Sequence, residues 1–178
     1  MSVLRHALLG LLAREPMTGY QLSRALERTI GYFWHANHSQ VYPQLKALSE
    51  AGLARPEALA GPGPRENKRF HLSDLGRAEL RSWLSRPVKL GPDRDEFVVR
   101  VYSIWLLDPD DAVRIVTEHR QLHADRLAEY QSIRQALGEP TEPSDPQFAQ
   151  RATLQAGLGY SQHRIAWSDW MLDRLRPG

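Results

Sequence analysis

Cysteine is absent from all 178 residues. That removes a disulfide framework, a thiol nucleophile and a thiolate metal site together, and it suits a reduced cytoplasm, which is the expected location. Long apolar runs are missing too: no stretch approaches the ~18 residues of a membrane span, so no membrane association is expected. Arg5 is an early basic residue, but no apolar segment with a small-residue cleavage site follows it, and a secretory signal is not expected. Glycine-rich loops reduce to Gly61-Pro62-Gly63-Pro64, whose prolines delete the N–H donors that a phosphate cradle needs. Ser, His and Asp are plentiful, yet none occupies a recognisable nucleophile setting such as a strand-to-helix elbow. An enzyme is therefore not expected, nor is a cofactor.

What is present is ordinary for a folded protein, at 42% hydrophobic and 25% charged residues. The small net charge of +2 hides an asymmetry. Residues 1–90 hold 13 Lys+Arg against 7 Asp+Glu, whereas residues 91–178 hold 10 against 14. A basic half joined to an acidic half points to a polyanion meeting the first half only.

Hydrophobic periodicity predicts a helix over residues 3–13, with Val3, Leu4, Ala7, Leu8, Leu11 and Leu12 inward. Thr18 is an N-cap for a second helix reaching about Ile30, buried through Leu22, Ala25 and Leu26. Tyr32, Phe33 and Trp34 form an aromatic connector. A third helix runs from about Asn37 or His38 to Ala51, faces inward with Val41, Leu45 and Leu48, and ends at Gly52 in the C′ position. Pro43 falls inside it, so either the regular helix begins nearer Tyr42 or the helix is kinked. Residues 54–60 and 68–72 read as two strands around a turn-rich tip at Ala60–Pro64. Ser73 caps a fourth helix over 74–84, with Leu75, Leu80, Trp83 and Leu84 as packing residues.

Pro87 to Pro92 is the expected boundary, giving domains at 1–87 and 93–178. The second half is expected to be helical over 94–107, over Pro109 to about Leu137 behind an Asp108 cap, and from Asp145 or Pro146 to Leu175. Gly138 to Pro143 links the last two. Along the final helix Leu154, Leu158, Ile165 and Leu172 keep a heptad-like spacing. Tyr160, His163, Trp167 and Trp170 fall on another face. A helix apolar on two faces must be covered twice, so the leucine–isoleucine stripe is the expected homodimer interface.

Three helices, a two-stranded hairpin and a further helix are the order of a winged helix-turn-helix, in which the third helix enters the major groove. The fold class is thus mainly α, a winged helix-turn-helix followed by an all-helical dimerisation domain. Expected DNA contacts are Asn37, His38, Ser39, Gln40, Gln44 and Lys46 on the third helix, with Tyr42 near the backbone. Tyr20 in the second helix and Arg65, Lys68 and Arg69 by the wing would meet phosphates. Tyr102, Trp105, Tyr160, Trp167 and Trp170 are candidates to line an effector pocket, although aromatics at helical spacing more often serve as plain core or dimer packing. His119 and His123 have the spacing for a shared metal, but no third ligand shares their face, so no metal is expected and a place at a packing seam is. A winged-helix protein-interaction adaptor that binds no specific DNA is the alternative function.

The residues Phe33-Trp34-His35-Ala36-Asn37-His38-Ser39-Gln40-Val41-Tyr42-Pro43-Gln44-Leu45, with Leu48 and Gly52-Leu53, resemble the recognition-helix signature of PadR-type regulators. The family habitually carries the Tyr-Pro pair, and the aromatic run before it is similar to the AphA-like branch. Leu8-Leu9-Gly10-Leu11-Leu12 and Thr18-Gly19-Tyr20-Gln21-Leu22 match as well. Lys68-Arg69-Phe70-His71-Leu72-Ser73-Asp74-Leu75-Gly76 resembles the wing strand and the next helix start, with Arg69, His71 and Ser73 as mild departures. Asp95-Glu96-Phe97 and Arg151 to Gly157 resemble the family's longer C-terminal region more loosely. The resemblance implies a dimer binding a pseudo-palindromic DNA operator, often as a repressor and sometimes released by a phenolic or other apolar effector.

Overall fold

The computed structural model describes residues 3–29, 38–59, 68–88, 95–139 and 142–176. The chain divides into two compact units, residues 1–89 and 90–178. The aromatic connector at 32–34 and the hairpin tip at 60–64 lie outside the described residues.

In the first unit, α1 (Val3–Leu12) and α2 (Gly19–Thr29) flank a short strand, β1 (Met17–Thr18). The entry to α2 is a reciprocal cap. Gln21 N–H donates to Thr18 Oγ1 at 3.2 Å, and Thr18 N–H donates to Gln21 Oε1 at 2.8 Å, so two otherwise orphaned donors are satisfied. Helix α3 (His38–Glu50) runs through Pro43. The helix therefore begins upstream of Tyr42 rather than at it, and it tolerates the hydrogen bond that proline cannot give. Gly52, at φ +69°, ends it in the left-handed conformation. There Leu53 N–H reaches Leu48 O at 2.9 Å and Gly52 N–H reaches Ser49 O at 3.0 Å, the paired closing bonds that glycine at this position allows.

Strands β2 (Ala54–Ala58) and β3 (Lys68–Leu72) form the wing, and β1 adds to the free side of β3 in the order β1-β3-β2. All pairings are antiparallel, with Met17 opposite Phe70 and Glu57 opposite Arg69. This third strand was not expected, because two residues carry no alternation to read. Pro56 sits in β2, an edge strand, where a missing donor is tolerated.

The core beneath the sheet joins Leu4, Leu8, Leu9, Leu22, Val41, Leu45 and Leu48, each less than 5% exposed. Each such side chain contributes about 2 kcal/mol of burial. Helix α4 (Asp74–Leu84) closes the unit behind the Ser73 cap, which accepts from Gly76 N–H. Its packing face is Gly76, Glu79, Leu80 and Trp83, with Trp83 stacked on the buried His6 ring at 4.5 Å. Leu75 and Leu84, expected to pack, are instead 59% and 66% exposed. The inward stripe runs through 76, 79, 80 and 83, and positions 75 and 84 fall outside it.

The second unit is helical. Helix α5 (Glu96–Tyr102) is followed by a 3-10 turn at Ile104–Leu106, then α6 (Pro109–Ala136) and α7 (Pro146–Leu175). The expected single helix over 94–107 breaks at Ser103, whose backbone at φ −116° and ψ 17° leaves the helical region. Asp108 stands at the N-cap of α6, but its side chain accepts no capping bond, unlike Asp145 at the start of α7. Helices α6 and α7 pack antiparallel, with Val116, Met171 and Leu172 at the core.

Candidate nucleic-acid interface and an aromatic cluster around a buried arginine

Helix α3 separates its two faces cleanly. Val41, Leu45 and Leu48 are at most 1% exposed, while Ser39, Gln40 and Lys46 are exposed and Gln44 is half-buried. Tyr42 and Tyr20 are exposed at 45% and 65%, where a ring with a polar tip can meet a partner surface. His38 opens α3, and its side chain, like Asn37 and Arg65, lies outside the described residues.

The outward face of α3 meets the wing at a recess of about 240 Å³, whose lining includes Gly19, Tyr42, Lys46, Lys68 and Phe70. Two lysines from different elements thus share one concavity with a tyrosine. Gly19 matters to this shape: a Cβ there would stand 2.7 Å from the Tyr42 ring, so a side chain at 19 would push the tyrosine away. Glu50 also lines the recess, 3.8 Å from Lys46, and sequence reasoning had not counted it. Lys68 and Arg69 were expected to act together. Adjacent residues of a strand point to opposite faces, and Lys68 belongs with Phe70 and Pro56 at the recess while Arg69 pairs across from Glu57 on the other side. Glu57 also accepts from His71 at 2.7 Å.

The five aromatics expected to line an effector pocket separate into two groups. Tyr102, Trp105 and Trp170 are 86%, 77% and 53% exposed and enclose nothing by themselves. Tyr160, on the exposed side, and the half-buried Trp167 instead flank the buried Arg164. The Arg164 guanidinium lies 4.9 Å from the Trp167 ring centre and 5.5 Å from that of Tyr160, and it donates to the Asp95 carboxylate. Phe97 stacks on His119 at 3.6 Å, and His123 meets the edge of Tyr160 at 5.7 Å.

His119 and His123 lie at the packing seam expected for them, each only 8% exposed. Burial, the neighbouring His123 and the Arg164 charge push the His119 imidazole down to about 4. Burial and the charges of Arg164 and Arg126 lower His123 as well. Burial alone would raise the Asp95 carboxyl, but the Val98 N–H bond and the Arg164 charge together hold it below its ordinary value. Among the described residues no three His, Cys, Asp or Glu side chains gather as metal ligands.

The stripe expected at a dimer interface is largely used within the chain. Leu154, Leu158 and Leu172 are 5%, 2% and 5% exposed, and Ile165 is half-buried.

The sequence pattern described as the transcriptional regulator PadR-like family matches residues 8–82, and that described as the virulence activator alpha C-terminal region matches residues 94–176. The chain is 30% identical over 176 residues to the negative transcriptional regulator PadR of Bacillus subtilis, with 97% of each chain covered. It belongs to the PadR family of transcriptional regulators. The B. subtilis PadR structure in complex with operator DNA superposes with a TM-score of 0.88 at 29% identity, covering 98% of this chain and 100% of that one. The structure of that protein with p-coumaric acid gives 0.83 at 28% identity, covering 98% and 99%. The Vibrio cholerae virulence activator AphA gives 0.74 at 28% identity, covering 97% of each. These PadR-family relatives are regulators and not enzymes.

Within the PadR frame, the residues that sequence reasoning passed over are Glu50, Asp95 and Arg164. Asp95 stood in a quoted segment, but only its position as the α5 cap, bonded to Val98 N–H at 3.1 Å, gives it a task. Arg164 gave no signal, since a lone arginine on a long helix reads as a solvated charge.

Proposed function

We propose that this PadR-family chain is a sequence-specific DNA-binding repressor. It acts in the cytoplasm as a dimer on a pseudo-palindromic operator and is released by a small aromatic or apolar ligand. The observation that carries the DNA reading is the meeting of Tyr42, Lys46 and Lys68 in one recess beside the exposed Ser39 and Gln40 of α3. A groove-wide helix with short polar side chains can read base edges, and lysines at its margin neutralise phosphates. The relative solved with operator DNA, alike over the whole chain, supports the same use. Ser39, Gln40 and Gln44 are assigned to bases. Tyr20, Tyr42, Lys46 and Lys68 are assigned to the backbone, with Asn37, His38 and Arg65 added from their place in the sequence. Arg69, on the far side of the wing strand, is a weaker candidate than Lys68.

Fluorescence anisotropy on DNA from upstream of the protein's own gene, against a random duplex at several salt concentrations, tests this. Preference of about 10³-fold or more is expected, with affinity falling steeply as salt rises. Binding to neither duplex at low salt would favour the adaptor. Lys68→Ala should weaken every sequence alike and flatten the salt slope by about one unit; an unchanged slope removes it from the interface. Gln40→Ala should reduce discrimination more than non-specific affinity, and equal losses would exclude base reading by Gln40.

Dimerisation is assigned to residues 93–178. With the leucine stripe buried, Val99, Tyr102, Trp105 and Leu106 are the better partner surface, being 70%, 86%, 77% and 68% exposed along α5 and the 3-10 turn. Such a run of large apolar side chains is costly to leave in water. Trp105→Glu should raise the dimer dissociation constant at least about tenfold, roughly 1.4 kcal/mol, in sedimentation equilibrium. A dimer of unchanged stability would place the interface elsewhere. The ligand reading rests on the Tyr160–Trp167 cluster and on the p-coumaric acid complex of the B. subtilis relative.

A further inference from the structure

We infer that Arg164 forms an anion seat whose resident anion is the chain's own Asp95, and that a small planar carboxylate from solution takes Asp95's place. The inference deepens the ligand-release reading and rests on it for its biological sense. Its physical basis is local to the second unit.

A buried guanidinium must be paired. The Arg164 side chain is 8% exposed, whereas the carboxylate that pairs with it, Asp95, is 24% exposed. Tyr160, which reaches the same Asp95 oxygen at 3.4 Å, is 47% exposed. The cation therefore lies inside and the anion at the solvent edge. An anion can be exchanged there without moving the arginine.

Asp95 also fills the seat incompletely. It accepts from Arg164 Nη2, and Arg164 Nε is buried with no hydrogen-bond partner. Two more polar atoms nearby in the helix pair share that condition, His123 Nδ1 and Ser161 Oγ. All three belong to residues more than nine-tenths buried, at 6%, 8% and 0% exposed over the whole residue. A buried polar group without a partner is costly, at about 1–3 kcal/mol. The arginine's own Nε, with a histidine nitrogen that feels its charge and a serine one turn earlier on α7, points to a polar guest. A carboxylate able to bridge Nε and Nη2 makes the two-pronged contact that Asp95 does not. The rings of Phe97, Tyr160 and Trp167 favour a flat apolar body behind that carboxylate. Displacement frees Asp95, the cap of the first described helix after the inter-unit connector. Ligand binding thereby acts on how α5 is anchored to α7.

The test uses the full-length protein, benzoate as probe and uncharged benzamide as control, followed by isothermal calorimetry. Asp95→Asn removes the competing charge yet keeps the helix cap, because asparagine caps as well as aspartate. Benzoate should bind Asp95→Asn about tenfold more tightly than wild type, benzamide should show no such gain, and Arg164→Lys should lose the benzoate affinity because it lacks the planar fork. Equal benzoate affinity in wild type and Asp95→Asn, benzoate binding untouched by Arg164→Lys, or no binding to either protein would overturn the inference. Should Asp95→Asn fail to fold, the Arg164 Nε–Hε cross-peak of the wild type decides: it must shift on adding benzoate, and a stationary peak overturns the seat. Duplex DNA binding is measured separately. Its absence would sink the regulator reading and leave the benzoate result standing.

Discussion

Gly76→Ala is expected to lower the thermal midpoint of the first unit by about 12–24 °C, the shift that a loss of roughly 3 kcal/mol brings in a domain of this size. The glycine lies in the first turn of α4, where alanine would ordinarily help a helix. Here an added Cβ would stand 2.1 Å from the Leu53 carbonyl oxygen and 2.8 Å from the Leu72 side chain. The carbonyl is backbone at the junction of α3 and β2, and it accepts the Ser73 N–H at 3.1 Å. Neither side can yield without breaking the bonds that fix α4 to the wing, because Ser73 also donates to Gly52 O at 2.7 Å. Overpacking of this kind lies at the severe end of its usual range. Gly10→Ala is the internal control. It is also helical, but nothing lies within 4 Å of its would-be Cβ, so it should be neutral or stabilising by up to about 1 kcal/mol. Circular dichroism melts of both variants decide, and a Gly76→Ala midpoint within a few degrees of wild type would mean that α4 can move off the wing freely.

Acid should loosen the second unit well before it titrates most carboxylates. The His119 imidazole is pushed down to about 4 by burial, His123 and Arg164, against an ordinary value near 6.5 in the unfolded chain. The unfolded state therefore takes up the proton first. The stabilisation from keeping this histidine neutral is fully present above about pH 6.5 and disappears progressively as the pH falls towards 4. At pH 4.5 the loss reaches roughly 2.5 kcal/mol for His119 alone. His123 is lowered in the same direction and adds to it. Asp95, held below its ordinary value, loses its contribution only at still lower pH. Melting midpoints from pH 7.5 to 4.5 should fall more steeply for wild type than for His119→Gln, which keeps a polar side chain facing Ser168 without the titration. Parallel curves would mean that water reaches the imidazole.

Much of the first unit was legible because its signals are local. Val41, Leu45 and Leu48 recur at helical spacing and are the buried face of α3. Thr18 and Gln21 stand three apart, as a reciprocal cap requires, and Gly52 ends α3 with the positive φ that glycine accepts. The candidate site was only partly legible. Tyr42, Lys46 and Lys68 could be named as polar residues on the right elements, but the strand pleat put Lys68 at the recess and Arg69 on the other face. In the second unit the leucine stripe of α7 read as a surface for a partner. Heptad spacing says that a face is covered, not by which chain.

The sequence by itself determined most of the helices, the caps at Thr18, Ser73 and Asp145, the two longer wing strands and the PadR resemblance, since each follows from residues a few positions apart. The break at Ser103 and the missing Asp108 cap bond did not show in it. Only the tertiary structure decided three things. It paired β1 with β3, spent Leu154, Leu158 and Leu172 inside the chain, and enclosed His119, His123 and Arg164 with Asp95. The reason is one of range. Asp95 and Arg164 lie 69 positions apart, and nothing in the periodicity of either segment records that a buried cation needs that particular anion. Burial and pairing of charge depend on which helices meet, so they appear only when the helices are packed.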